Sequence, residues 1–221
     1  MRFKEYITEV KEVNLINKMV GSLAKQLYPL FKKEKWVLND EKLLKLLNKA
    51  YGQFDIKIKF FISSDKTSMY RNISYAEVSI DYKQIEVYIT KGSSEFFKRF
   101  AKPDKEKMFL DIRKNEFFSD LANILIHEIR HFYQIIMDPN TISIDPGEPG
   151  VKHWEYLETK SEIDAFALQG AVEFLKLGKP GKIMNMYKDY FEKDAKEYKK
   201  FLSKVERYKK KMKTIGLDKV F

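Results

Sequence analysis

The chain has 221 residues, of which 44% are hydrophobic and 14% aromatic, enough for a domain with a sizeable core. This composition excludes an intrinsically disordered chain, and the absence of cysteine excludes disulfides and cysteine-based metal sites. Charge is unevenly placed: residues 176–213 carry 14 Lys and Arg against 5 Asp and Glu, which accounts for +9 of the net charge of +10.

The first half of the chain is predicted to form helices and then a small sheet. Apolar residues spaced by threes and fours predict a helix over residues 5–33, which Pro29 bends or ends. We expect Asp40 to cap a second helix over residues 41–51, and Gly52 to end it. Alternating apolar and polar residues then predict three strands of an antiparallel meander, at residues 54–60, 73–80 and 84–90.

The second half is predicted to be helical. Ser93 and Ser94 are placed to cap a short helix that ends at Ala101. Longer helices are expected at residues 117–137, 154–177 and 183–212. Helices, a small sheet and further helices make an α+β protein. We predict a single domain with three parts, namely a helical N-terminal part, a central core and a basic C-terminal helix, at residues 1–50, 54–175 and 183–213.

The segment His127-Glu128-Ile129-Arg130-His131 carries the clearest chemical signal. His127 and His131 are four residues apart, so on a helix they lie one turn apart on the same side. Two imidazoles so placed can bind one Zn²⁺ ion. Glu128 is rotated by about 100° from His127, off the metal but able to take a proton from a zinc-activated water. Apolar neighbours give this helix a buried side, which favours a metal site over two ordinary histidines.

With this motif on a helix after a small sheet, the chain resembles the zincin metallopeptidases over residues 54–175. The resemblance implies a zincin-like core, a zinc cofactor and hydrolysis of peptide bonds in a protein or peptide substrate, with Glu128 as general base. In such enzymes a strand before the active helix often holds extended substrate by main-chain pairing, a role that would fall to residues 84–90.

A catalytic zinc site needs a third protein ligand. Metzincins would place a glycine and a histidine where this chain has Gln134 and Met137, so that family is excluded. The segment 161–167, Ser-Glu-Ile-Asp-Ala-Phe-Ala, resembles the Glu-x-Asp/Glu-Ala segment of Glu-ligated zincins, including phage and bacterial regulatory ones. This resemblance implies that Glu162 is the third ligand and that Asp164 supports the site.

Other residues remain as alternatives for the third ligand. His153 would give a three-histidine site like that of zincins linked to DNA repair. If it is not a ligand, His153 or Tyr156 would stabilise the oxyanion of the reaction. Glu158 and Asp164 are the remaining candidates for the third ligand.

The first ten residues resemble the start of internal head proteins of large tailed phages. Those proteins begin with a short amphipathic peptide that is removed after an Ile-x-Glu or Leu-x-Glu site, and Ile7-Thr8-Glu9 fits that pattern. The resemblance implies a phage-encoded protein that is packaged with DNA. An ordinary first helix is the alternative interpretation.

The start of the chain lacks the apolar stretch of a secretory signal, and the apolar run 124–126 is far too short to span a membrane. We therefore predict a cytoplasmic protein with no membrane partner, or alternatively one inside a phage virion.

The leading hypothesis for the function is a zinc endopeptidase. The competing hypothesis is a nucleic-acid-associated or virion-internal protein that binds through residues 176–213, with an inactive or secondary zincin core. The sequence leaves the oligomeric state open.

Overall fold

The computed structural model describes residues 15, 25–52, 54, 56–64, 72–79, 81, 83–102, 105–110, 115–138, 153–191 and 195–214. Its helices are α1 (25–33), α2 (Asp40–Tyr51), a 3₁₀ helix (Ser93–Ala101), α3 (Glu106–Leu110), α4 (Glu116–Met137), α5 (His153–Glu158), α6 (Lys160–Leu177), α7 (Lys182–Tyr190) and α8 (Lys196–Thr214). Its strands are β1 (Lys57–Ser63), β2 (Ile73–Ser79) and β3 (Gln84–Thr90). These helices together with one small three-stranded sheet confirm the α+β class. None of the helices in these ranges is both long and apolar enough to cross a membrane.

The chain divides into two compact units, and the boundary falls inside α4. The sheet unit spans Asn14–Glu128, and the helical unit includes Ile129–Phe221. Because α4 is one continuous helix across this boundary, the spacing of residues along it is set by helical geometry alone.

The sheet is mixed, so the prediction of an antiparallel meander was wrong. Its strand order is β1-β3-β2, with β1 parallel and β2 antiparallel to β3. Alternation along a strand indicates which side chains face the core, but it does not indicate which strand lies next to it. Because β3 pairs with a neighbour on each side, its backbone cannot also pair with a substrate. The prediction that residues 84–90 hold substrate in this way was therefore wrong.

The outer edge of β1 is covered by α2. The side-chain amide of Asn48 accepts a hydrogen bond from Phe60 N at 3.0 Å and donates one to Phe60 O at 3.4 Å. The amide thus bonds the N–H and C=O of one residue, as an adjacent strand would. This closes one of the two edges that a three-stranded sheet exposes.

The start of α2 differs from the prediction by one residue. Asn39 is the N-cap, because its side chain accepts from Lys42 N at 2.8 Å. Asp40, the predicted cap, instead accepts from Gly92 N at 2.8 Å and Ser94 N at 3.2 Å. The 3₁₀ helix is therefore capped from α2 and not by its own serines. Gly92 precedes it at φ 85°, a conformation that favours glycine.

Aromatic side chains fill the core of the sheet unit. Residues 25–33 are helical through Pro29, so this proline does not end the helix, and the alternative that it bends the helix stays a prediction. Ring centroids within the cluster lie as close as 4.6 Å, between Phe31 and Phe97. Phe117 and Phe118 join the cluster from the first turn of α4 and fix that end of the helix in the sheet unit. The other buried members are Trp36, Phe100 and Phe109.

Helix α6 is the centre of the helical unit and packs against α5, α7 and α8. Both long helices predicted here are interrupted. The first breaks at Thr159, which has φ −62° and ψ 147°, and the second breaks after Tyr190, where Phe191 is extended. Neither break contains a proline or glycine to mark it in the sequence. The apolar seam of α8 is buried, with Phe201 stacked on Tyr187 at 4.0 Å.

Candidate metal centre

Helix α4 places the two motif histidines one turn apart, as predicted. His127 and His131 are buried, with 6% and 8% of their surface exposed. Glu128 is also buried, at 7%. The helix owes this environment to its apolar residues, including Leu121, Leu125, Ile126 and Ile129, all buried.

Glu162 lies in the first turn of α6, which its neighbours shape. Thr159 caps the helix, and its hydroxyl accepts from Glu162 N at 3.3 Å. Thr159-Lys160-Ser161-Glu162 has the pattern of a capping box, in which the glutamate would bond back to the N–H of the cap. Here Thr159 N donates to Tyr156 O at 3.1 Å instead. The glutamate is therefore not needed at the cap, and its Oε1 lies 3.0 Å from His131 Nε2.

The three predicted ligands come together. Ligand atoms of His127, His131 and Glu162 all lie within 4.8 Å of one another, and all three residues are buried. A group of this kind could hold a metal ion. Among the alternatives, Glu158 is exposed and is not part of the group. His153 begins α5, but its side chain lies outside the described part of the chain, so its role stays a prediction.

The chemistry of the donors fits a first-row metal ion. Two imidazole nitrogens and one carboxylate match the three-ligand catalytic zinc sites of known type, and they also suit iron or cobalt. An imidazole nitrogen and a carboxylate oxygen both present lone pairs. A separation of 3.0 Å between them is favourable when a proton or a cation lies between the two.

Gln134 connects His131 to the start of α6. Its Oε1 lies 2.9 Å from His131 Nδ1. Its Nε2 donates to the carbonyl oxygen of Ser161 at 3.1 Å and to Asp164 Oδ2 at 3.3 Å. The sequence analysis used Gln134 only to exclude the metzincins. Its spacing of three from His131, on the same face of a helix, was the available signal.

Asp164 is the centre of a cluster of cations. Arg130 donates to its Oδ2 through Nε at 2.7 Å and Nη2 at 2.6 Å. Lys204 of α8 pairs with Oδ1, and Arg207 lies 3.7 Å from the same oxygen. Burial would raise the pKa of Asp164, but Arg130 and Lys204 outweigh it and lower the pKa from 3.8 to about 2. The carboxylate thus stays ionised, and Gln134 connects it to His131.

Glu162 also acts on Tyr187. Burial, and then the charge of Glu162, raise the pKa of Tyr187, so its hydroxyl stays a donor and bonds Leu157 O at 3.1 Å.

Tyr156 is half-buried in α5, and its proposed part in stabilising the oxyanion stays a prediction. The predicted processing site at residues 7–9 lies outside the described residues.

Comparisons with protein-family models, curated proteins and solved structures give no match for this chain.

Proposed function

We propose that the protein is a zinc-dependent peptidase with a zincin-like core, in which His127, His131 and Glu162 hold the metal. One observation carries the proposal: three buried side chains with metal-binding chemistry, two from α4 and one from α6, have ligand atoms within 4.8 Å of one another. Burying such polar groups is costly unless they are paired or bind a metal. A metal ion would bind all three groups at once, in the three-ligand arrangement of a catalytic zinc site.

The remaining chemistry is assigned to Glu128. A zinc ion held there would supply Lewis acidity, which polarises a substrate carbonyl and lowers the pKa of water toward about 7. Glu128 follows His127 in α4 and is rotated by about 100° from it, so it lies beside the ligands and not among them. Its buried carboxylate would accept the proton of the attacking water and pass it to the leaving amine.

Metal content tests the binding half of this proposal. Plasma mass spectrometry of wild-type protein should find one zinc per chain after zinc is added and excess is removed. His131→Ala and Glu162→Ala should lose it, whereas Glu158→Ala, which changes an exposed glutamate on the adjacent helix, should retain it. Absence of zinc from wild type, even after addition, would refute the proposal.

The Glu128→Gln variant tests the catalytic half. It should retain one zinc per chain and cleave a mixed peptide library at least about 100-fold more slowly than wild type, the usual scale of a lost general base. Mass spectrometry of the peptides would identify the cleaved bonds. Equal cleavage by Glu128→Gln and wild type would show that this glutamate is not the base.

We also propose a second function, contact with nucleic acid, because of the exposed face of α8. The buried seam of this helix packs against α6, and the opposite side presents cations along about 26 Å of helix. A rigid row of positive charge complements a phosphate backbone. Since the apolar seam is already buried, the helix has no apolar face to insert into a lipid surface. The exposed cations are Lys196, Lys199, Lys200, Arg207, Lys210 and Lys213.

A charge-neutralised variant tests whether DNA contacts the lysines of α8 in particular or responds only to the overall positive charge of the protein. The variant changes four exposed α8 lysines, and its control changes four exposed lysines of the sheet unit. DNA affinity is measured by fluorescence anisotropy against salt concentration. If all four contact phosphates, the α8 variant should lose about 3–4 units of slope of log affinity against log salt. Equal slopes for the two variants would refute the assignment. The substituted residues, all to Gln, are Lys199, Lys200, Lys210 and Lys213, against Lys45, Lys49, Lys57 and Lys91.

A further inference from the structure

The amide of Gln134 can adopt only one orientation in its surroundings. One end faces the carbonyl oxygen of Ser161 and the carboxylate of Asp164, and both of these groups only accept hydrogen bonds. The NH₂ group of Gln134 must point there, because the amide oxygen would meet two acceptors. The amide oxygen therefore faces Nδ1 of His131, at 2.9 Å.

This orientation determines the protonation of one ring nitrogen. An amide oxygen only accepts, so His131 Nδ1 must carry the hydrogen and donate it. The other nitrogen, Nε2, points at Glu162 Oε1 across 3.0 Å. In metal sites, the partner of the non-ligating nitrogen fixes both the tautomer and the ring orientation.

We propose that Gln134 is a positioning residue that selects Nε2 of His131 as the metal-binding nitrogen and holds the ring toward Glu162. This inference rests on the proposed metal centre and adds to it a residue that contacts neither metal nor substrate. Without Gln134, the ring could rotate or carry its hydrogen on Nε2, and either change would turn a lone pair away from the metal.

Helix α8 also contributes to the positioning of Gln134, through Asp164. Asp164 Oδ2 accepts from Gln134, while Arg130 of α4 and Lys204 of α8 hold the carboxylate in place. Lys204 is only 25% exposed, unlike the cations on the outer face of α8. Through Lys204, α8 supports the group that orients Gln134. The Lys204→Met variant should weaken zinc binding less than loss of Gln134, because Arg130 still holds Asp164.

Two variants of Gln134 and one control test the inference. Gln134→Met keeps the length of the side chain but removes the acceptor, and it should lower zinc affinity by about 10–100-fold. Gln134→Glu restores an acceptor for Nδ1–H but turns its second oxygen toward the acceptors Ser161 O and Asp164 Oδ2, so it should recover only part of that loss. Gln84→Met makes the same change at another buried glutamine, on β3, and should leave the affinity unchanged. Affinity is measured by competition with a chromogenic zinc chelator.

Nitrogen NMR provides a readout that does not depend on activity. The chain has three histidines, so long-range ¹H–¹⁵N spectra can be assigned with single His→Ala variants. In metal-free and zinc-loaded wild type, Nδ1 of His131 should show the shift of a protonated nitrogen. In Gln134→Met, this signature should be lost or averaged between the two nitrogens.

The outcomes separate this inference from the proposed function. One zinc per wild-type chain, with unchanged affinity and unchanged His131 signals in Gln134→Met, would overturn the inference and leave the metal centre intact. No zinc in wild type would overturn the metal centre, and the metal-free spectrum would still show which nitrogen carries the hydrogen. If Gln134→Met fails to fold, a zinc-loaded wild-type spectrum with Nδ1 as the ligating nitrogen would also overturn it.

Discussion

Replacing Asp164 with Asn should destabilise the protein, because buried cations would lose their counter-charge. The side chains of Asp164 and Arg130 are only 7% and 14% exposed. Removing one partner of a buried pair costs about 3–5 kcal/mol. Lys204 and Arg207 are more exposed, at 25% and 44%, and can turn toward water. Because Asn also keeps one acceptor oxygen, we expect a loss of about 2–3 kcal/mol in the free energy of unfolding.

The pKa of Asp164 gives a similar magnitude by a separate route. Burial raises this pKa, but Arg130 and Lys204 lower it further, from 3.8 to about 2. A shift of just under two units corresponds to about 2–3 kcal/mol of stability. Because the pKa of the folded state is the lower one, this stability is present above about pH 4 and is lost as the pH falls through about 2.

Urea unfolding at pH 7, followed by far-UV circular dichroism, measures the effect. Lys204→Met is the matched comparison, and it should cost about 1 kcal/mol because Asp164 keeps Arg130. The double variant should lose less than the sum of the two single losses, since the residues are in direct contact. If Asp164→Asn changes the free energy of unfolding by less than about 0.5 kcal/mol, the cluster around Asp164 stabilises the protein no more than an ordinary surface ion pair does, and the reasoning is refuted.

Other predictions concern single contacts of the fold. Gly181→Ala should lower the melting temperature, at a cost of about 1–3 kcal/mol, since a Cβ there would lie 2.9 Å from the Cβ of Glu173. Gly170→Ala, whose Cβ would meet nothing closer than 3.4 Å, should be neutral or stabilising in the same assay. Asp40→Asn should cost about 1 kcal/mol at pH 7. Burial raises the pKa of Asp40, but hydrogen bonds from two backbone N–H groups lower it overall. In urea titrations, the difference in free energy of unfolding between wild type and Asp40→Asn should therefore shrink below about pH 4. Asn48→Ala should cost about 1–2 kcal/mol and, by opening the edge of β1, should produce concentration-dependent association in light scattering; the same scattering as wild type at every concentration would contradict this.

The sequence predicted α4 closely because two independent patterns coincide there. The apolar spacing predicts a buried helix, and the histidine spacing predicts one face of it. The observed helix begins at Glu116, one residue before the prediction, and ends at Met137 as predicted. Sheet pairing was not predictable in the same way. The order β1-β3-β2 depends on which strands meet in space, and the alternation within each strand carries no such information.

The role of Glu162 shows where local patterns become ambiguous. Thr159-Lys160-Ser161-Glu162 reads equally well as a capping box, which would use the carboxylate at the helix end. Glu162 does not act as a capping residue, because the backbone N–H of Thr159 already donates to Tyr156 O and is not available to the glutamate. That bond exists only because α5 ends just before α6. A long uninterrupted helix, as the sequence predicts here, contains no such end.

Helix α8 links the two proposed functions physically, and this determines how they can be tested. One side of the helix places Lys204 on Asp164, next to the residue that orients His131. The other side carries the exposed cations proposed to contact nucleic acid. Deleting the helix would remove both sides at once, so a loss of DNA binding and a loss of zinc would be inseparable. Substituting only the outer lysines should reduce the salt-dependent binding of DNA while zinc content stays at one per chain. Substituting Lys204 should do the reverse, weakening zinc binding with little change in the salt slope.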